Sequence, residues 1–439
     1  MRVLLTCHRF PPDGVGGVER YTQGLAAELA RTGDTVTVIT RRTTLPSEPV
    51  TLVRERLLDG TLVQRLTGGD FRLDPFEDQL IRLEHLCRMA LVEAAPDVVH
   101  INHLVGLTPR FIEFAHRQRI PIVVSLHDFY FACPRVHLQT TAGHVCEGPD
   151  GGRACAASCF ADRGAGADQI YGLRREYFQR LLGLADRVVC PSRYVASYFE
   201  KLGTDVSRMR VVANGAVVDP SSRLVSPRPR QPGEPLKLAC LGAIVPHKGA
   251  HILLEAVKLS QRPVEVFLLG IYIPEYARQL RLQAETIPGL KLRMYGKYSP
   301  SELPHLLPDI DCVVVPSQVP ETFSITTREA LSAGIPVLVA RLGALPEAVI
   351  ENHNGFCFDP GRPDELAGLI TTLAEDPECL SRLRRGASRT PIRTVSENAD
   401  AIKTVYTEAI DECCRHRSKV TDLEEFAVVH SRMISCHAA

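Results

Sequence analysis

The chain has 439 residues, 45% of them apolar and 23% charged, and its 51 Lys and Arg balance 51 Asp and Glu. That length exceeds one ordinary hydrophobic core and points to two domains of about 200 residues each. Zero net charge excludes an overall electrostatic footprint for nucleic acid or an anionic membrane, so any anionic ligand must be held by local groups.

The opening MRVLLTCHRFPPDG has only a short apolar run before His8 and Pro11. It lacks the long apolar region and small-residue cleavage site of a secretory signal, and no stretch approaches the roughly 20 apolar residues of a membrane span. A soluble cytoplasmic protein is expected, its 14 cysteines fitting scattered reduced thiols better than a disulfide scaffold.

Along the first half, β-rich runs alternate with helical patterns: RVLLTC, TVTVIT, DVVHIN, PIVVSLH, RVVCPS and MRVVAN. After the first run, Val18, Tyr21, Leu25 and Leu29 recur at steps of three and four, with Gly33 as the C-terminal stop. The alternation predicts parallel βαβ units. Residues 41–95 and 133–170 carry no motif that identifies a ligand. The second of these holds Cys133, Cys146, Cys155 and Cys159, with twelve, eight and three residues between them. Four thiolates so close could bind a structural zinc tetrahedrally; free thiols or two disulfides are the other readings the spacing leaves open.

Residues 217–235, VVDPSSRLVSPRPRQPGEP, are too rich in proline and small polar residues for a regular element and read as a linker. Beyond it the rhythm repeats in LKLACLG, VEVFLLG, LKLRMYG, DCVVVPS, IPVLVA and NGFCFDP, runs apolar enough for strands buried on both faces. DRVVCPS (186–192) and DCVVVPS (311–317) echo each other across the halves. The pair Asp309-x-Asp311 has a metal-binding look, but Asp311 opens a buried strand as Asp186 does, which favours a structural role. Expected boundaries are an N-terminal domain over 1–218, a second over 236–391, a helix over 392–415 packing back on the junction, and a tail over 416–439. Two doubly wound domains bind ligands at the carboxyl ends of their strands.

ETFSITTREALSAGIPVLVA (321–340) puts Glu321 and Glu329 eight positions apart, around a helix start expected at Ser324 or Thr326. In a helix, eight residues advance about 12 Å and turn to within roughly 80° of the starting direction. The carboxylates are therefore expected at the two ends of an extended ligand, with helix N-terminal amides, an anion site, between them. Such an arrangement suits hydroxyls at both ends and a diphosphate in the middle.

The longer stretch PSQVPETFSITTREALSAGIPVLVARLGALPEAV is similar to the donor-binding signature of the retaining family-4 glycosyltransferases. That resemblance implies the α/β GT-B fold, two Rossmann-like doubly wound domains facing across a cleft. It implies that Glu329 takes the nucleotide ribose, Glu321 the hydroxyls of the transferred sugar, and the amides of Phe323, Ser324 and Ile325 the diphosphate. LGAIVPHKGAHILLEAV (241–257) resembles the family's first donor-domain strand and helix, whose lysine on the diphosphate would be Lys248. Where the family commonly has an arginine this chain has Ala243, leaving His247 or an acceptor-side residue to compensate.

In the first half, GVGGVERYTQGLAAELARTGDTVTVIT (14–40) resembles the family's opening unit, where Gly16 and Gly17 would admit donor phosphates or make room for the acceptor. VVSLHDFYFACP (123–134) puts His127 at the position of a family histidine beside the transferred sugar, and DVVHINHLVGL (97–107) offers Asn102 and His103 to the same edge. The matches run over nearly residues 1–412. They imply a catalytic set of His127, Lys248 and Glu321, a nucleotide-sugar co-substrate and no catalytic metal. The acceptor hydroxyl could lie on a polysaccharide, a lipid-linked glycan or a secondary metabolite, with peripheral membrane contact if it is lipid-linked. Competing readings are a non-catalytic sugar-nucleotide or carbohydrate binder, suggested by Ala243, and an epimerase acting without acceptor. A nicotinamide dehydrogenase lacks its G-x-G-x-x-G with a following acid.

Overall fold

A computed structural model describes residues 1–14, 16–42, 48–69, 81–216, 234–299 and 302–416. Nearly all of the expected linker, 217–233, and the tail from 417 lie outside the described residues. The chain divides into two units: residues 1–142, 146–215 and 395 onward form one, and 143–145 with 216–394 the other.

The first unit runs β1 (Arg2–Cys7), α1 (Gly17–Arg31), β2 (Thr35–Arg41), β3 (Thr51–Arg56), β4 (Leu62–Thr67), α2 (Ile81–Ala94), β5 (Val98–Ile101), α3 (Arg110–Arg117), β6 (Ile122–Ser125), α4 (Arg153–Cys159), α5 (Ala167–Leu184), β7 (Arg187–Cys190), α6 (Arg193–Lys201) and β8 (Met209–Val211). Its sheet has the order β3-β4-β2-β1-β5-β6-β7-β8, parallel throughout except for the antiparallel β3–β4 pair. Successive strand residues serve opposite faces, as a sheet covered on both sides requires. Val3 and Leu5 pack with α1, while Leu4 packs with Cys87 of α2 and Phe111 of α3.

The pair β3–β4 is absent from the sequence expectation. Their alternation is hidden by charge: β3 is an exposed edge, and β4 buries Gln64 and Arg65. Arg65 is satisfied there by the Phe10 and Pro11 carbonyls and by Asp13 and Glu55, as a buried charge must be.

The second unit runs β9 (Leu236–Leu241), α7 (Ala250–Ser260), β10 (Val264–Leu269), α8 (Pro274–Glu285), β11 (Leu290–Gly296), the short α9 (Leu303–Leu306), β12 (Cys312–Val315), α10 (Ile325–Ser332), β13 (Val337–Ala340), β14 (Gly355–Phe358), α11 (Pro363–Glu375) and α12 (Pro377–Arg389). Its parallel sheet, β11-β10-β9-β12-β13-β14, is doubly wound with its switch point beside β9. The chain then returns to the first unit as α13 (Val395–His416), which lies against α1, β5, β6 and β7. Ile402, Val405, Tyr406 and Ala409 enter the core shared with Val3 and Leu5.

One device recurs in both sheets. An aspartate just before a strand accepts the amide at the start of the neighbouring strand: Asp97 from Arg2, Asp186 from Ile122 and Asp311 from Lys237, each at 2.8 Å. Each also donates its own amide back, to the carbonyls of Arg2, Ile122 and Lys237. Asp311 further receives Arg384 at 2.6 Å. The carboxylate of the Asp309-x-Asp311 pair that opens β12 is thus committed to strand pairing. No helix among the described residues is long and apolar enough to cross a membrane.

Candidate functional site

In the second unit the turns after β9 and β12 bring Lys248 onto Glu321, Nζ to Oε1 2.6 Å, across 73 positions of sequence. Two glycines in the left-handed region hold these turns, one within the turn after β9 and one after β13 that packs on the turn after β12. Gly249 has φ +78°, and a Cβ there would stand 1.9 Å from the Pro316 carbonyl oxygen. Gly343 has φ +62° and lies flat against the Glu321 backbone, whose carbonyl accepts the Ala344 amide at 2.7 Å. A side chain at either position would push the two charged groups apart.

Glu321 also accepts the hydroxyl of Ser317. Burial alone would raise its carboxyl, but Lys248, Ser317 and the nearby His247 hold it below the usual range, so it stands ionised. Its side chain is 14% exposed and that of Lys248 38%, which leaves the ammonium open to a ligand on one side.

Helix α10 starts at Ile325, with Ser324 as N-cap at φ +61°. That is an uncommon conformation for a residue other than glycine. The Ser324 hydroxyl does not cap the helix; it meets Thr327 Oγ1 at 2.7 Å. Arg328 reaches back to the Phe323 carbonyl with its guanidinium 4.0 Å over the Phe323 ring, bracing the turn that carries the first amides of α10. Burial lowers the Arg328 pKa to about 10, which keeps it cationic. Glu329 lies within α10 and is fully buried, unlike the partly open Glu321. Ala243 sits in the turn after β9 and brings no charge to it.

In the first unit, the carboxyl ends of β1, β5 and β6 gather a second polar cluster. His127 Nε2 lies 3.1 Å from Asn102 Oδ1 and its ring 4.3 Å from that of Tyr21. Burial drives its pKa down to about 3, so the imidazole is neutral and Nε2 carries the hydrogen toward Asn102. His103 accepts the Val105 amide at Nδ1 and donates from Nε2 to Asp128 at 2.8 Å. Against the upward pull of burial, His103 and the Tyr130 amide hold the Asp128 carboxyl at about 2.

The His8 ring lies tilted against that of His103, centroids 4.5 Å apart, and meets Glu19 at 3.2 Å. Gly16 caps α1 and Gly17 opens it. Gly16 has an ordinary extended backbone; what demands glycine is Glu19, whose carboxylate would lie 2.6 Å from a Cβ there. Burial would raise the Glu19 carboxyl, yet its bond with His8 leaves it below the usual range.

Sequence reading placed His127, Asn102 and His103 at one edge, and the structure joins the first two directly. It missed Ser317, Arg328, His8, Glu19 and Asp128. Glu19, Asp128, Ser317 and Arg328 lay within or beside stretches already singled out, but nothing in their spacing marked them, and His8 is joined to the site only by tertiary contact. Among the described residues, Cys133, Cys146, Cys155 and Cys159 included, no three His, Cys, Asp or Glu side chains are grouped to hold a metal ion, so the lining of the expected zinc site does not fit the ion.

Residues 15–219 match the family described as Glycosyltransferase Family 4, and residues 224–390 match Glycosyl transferases group 1. A D-inositol 3-phosphate glycosyltransferase of Corynebacterium efficiens is 30% identical over 441 residues, spanning 94% of this chain and 97% of that protein. Among solved structures, sucrose-phosphate synthase of Thermosynechococcus elongatus superimposes with a TM-score of 0.71 at 19% identity, covering 93% of this chain and 99% of the other. Anabaena HepE in complex with UDP and glucose does so at 0.64, with the same identity and coverage. Both likenesses are of fold, the GT-B arrangement of two parallel-sheet α/β domains.

Proposed function

Because the chain belongs to the family-4, group 1 glycosyltransferases and so moves a sugar from a nucleotide-diphosphate donor to an acceptor hydroxyl, we propose that it does this with retention at the anomeric carbon and without a catalytic metal. The observation that carries this reading is Lys248 held against ionised Glu321 beside the start of α10.

When the anomeric C–O bond breaks, its electron pair and a negative charge pass to the diphosphate. An ammonium and helix amides already pointed at that charge stabilise the transition state without having to reorganise. Lys248 gives one hydrogen to Glu321 and keeps two for phosphate; the amides of Phe323, Ser324 and Ile325 supply the rest. His247, already close enough to act on Glu321, or an acceptor-side residue, stands in for the arginine replaced by Ala243. Glu321 accepts from sugar hydroxyls, and Glu329 from the ribose. The acceptor oxygen then bonds to the anomeric carbon on the face the phosphate left, and its proton passes to the departing phosphate oxygen. No protein nucleophile is needed.

In the first unit, neutral His127, held by Asn102, is suited to a sugar hydroxyl. Ionised Glu19 directly behind Gly16 repels phosphate, so Gly16 and Gly17 make room for hydroxylated parts of the substrates, with His103 on the acceptor side. A cytoplasmic location is in keeping with use of a nucleotide sugar. HepE was solved with UDP, and the Corynebacterium relative is named for D-inositol 3-phosphate, so uridine donors and phosphorylated polyols head the substrate panel.

Lys248→Ala and Glu321→Ala should each lower kcat on the order of 10²–10³-fold while leaving the urea midpoint near that of the parent. Near-normal transfer in either variant rejects the assignment. The anomeric proton of the product, read by NMR, tests retention, and turnover in excess EDTA tests independence of metal.

A further inference from the structure

The function above gives no part to Arg328. One turn into α10, this side chain is 8% exposed and folds back toward the start of the helix. Its Nη1 donates to the Phe323 carbonyl and, at 3.4 Å, to the Ser324 carbonyl, while the guanidinium lies over the ring of Phe323, itself buried. Among the described residues its Nε and Nη2 have no acceptor.

A cation this deep is normally answered by a carboxylate. Arg65 and Arg187, buried to a like degree, hold Asp13 and Glu408. Arg328 forms no ion pair among the described residues; Glu321 and Glu347 act on it only from farther off. Burial does not remove its charge, since its pKa is lowered only to about 10. The start of α10 therefore holds a buried positive charge with no anion against it.

The turn that this charge faces is where the donor diphosphate is assigned. A nucleotide-sugar diphosphate is a dianion. Lys248 and ionised Glu321 meet at 2.6 Å and cancel in net charge, and His247 near them adds charge only when protonated. Arg328 supplies what that pair lacks, from a depth at which water screens it poorly. Its hydrogen bonds also fall on particular peptide groups. The Phe323 carbonyl shares a peptide unit with the Ser324 amide, and the Ser324 carbonyl shares one with the Ile325 amide. A carbonyl that accepts from a cation polarises its own peptide and strengthens the N–H as a donor.

We propose that Arg328 is the net positive charge of the donor-diphosphate site, acting on the anion through the Phe323–Ile325 turn that it holds and polarises. The proposal rests on the donor reading above and adds to it a positioning residue, because the amides and not Arg328 meet the phosphate.

The test titrates UDP, GDP and ADP by calorimetry, in EDTA, into the full chain and its variants. Arg328→Gln keeps a donor for the carbonyls without the charge, and Arg328→Lys keeps the charge without the stacked plane. The glutamine variant should bind the tightest of the three nucleotides at least about tenfold more weakly than the parent, and the lysine variant should recover most of that loss. A part in bracing alone predicts no such rescue. Urea midpoints near that of the parent show that the variants fold, and Arg328→Met replaces the glutamine variant if that one does not. Unweakened binding by the neutral variant, or equal losses in the neutral and lysine variants, overturns the proposal; weakened binding by Lys248→Ala in the same titrations shows that the donor reading still stands. A parent chain that binds none of the three nucleotides overturns the donor reading and this proposal with it.

Discussion

Two buried histidines of the first unit set how it responds to acid. His100 lies between Tyr406 at 2.8 Å and Ser125 at 2.7 Å, and burial brings its pKa down to about 3, as it does for His127. Both groups titrate near pH 6.5 once unfolded. Between pH 6.5 and 3 the unfolded chain therefore binds more protons, and stability falls as pH falls. At pH 5 each histidine should have cost about 2 kcal/mol. Urea midpoints measured at pH 7 and pH 5 check this; equal values would mean the imidazoles are not held neutral. Ser317→Ala removes one hydroxyl from Glu321 and should lower kcat/KM about tenfold, the worth of one hydrogen bond to a charged group, with little change in melting temperature.

Glu321, Lys248 and His127 were legible because each stands beside a recognisable strand end. Ser317 and Arg328 were not, since a serine and an arginine there are ordinary residues until the fold sets them against Glu321 and Phe323. His8 and Asp128 likewise acquire meaning only from their partners.

The elements around the site are positioned by backbone contact more than by side chains. Gly249 is the sharpest case, because a methyl group there meets the Pro316 carbonyl and the left-handed φ is strained as well. Gly249→Ala should destabilise the second unit by at least about 2 kcal/mol and raise the donor KM, since Lys248 moves with the turn; unchanged KM and stability would count against this account. Asp311 belongs to the strand-pairing device. Asp311→Ala leaves Arg384 with a lost partner and should cost about 3–5 kcal/mol, while the folded fraction keeps its turnover. A selective loss of turnover without loss of stability would instead favour a ligand role.

Most strands were legible as near-continuous apolar runs, the signature of a sheet covered on both faces. The β3–β4 pair escaped because β4 buries Gln64 and Arg65, and a buried charge such as Arg65 reads as surface until its partners are known. The four-cysteine segment gave its spacing to the sequence, but the turn at Cys133 and the register of α4 came only with the backbone.

At the scale of the whole chain, duplication of the doubly wound plan was legible from the repeated rhythm of strands. Membership of α13 in the first unit was harder to see, since its apolar face fits any sheet. Ending the chain before Val395 should leave Val3, Leu5 and Val98 without the cover of Ile402, Val405 and Tyr406. Residues 1–394 should accordingly be far less soluble than the parent, with the first unit losing cooperative unfolding; a truncated chain equal to the parent in solubility and urea midpoint would refute this role for α13.

A consequence follows for synthesis on the ribosome. Domains ordinarily fold in the order in which they emerge, but here the first one translated lacks a structural piece encoded after the whole of the second. The amino-terminal sheet must wait, one face covered only in part, by α1, while some 180 further residues are made, and that interval is when a chaperone that grips apolar surface would have its best chance to bind.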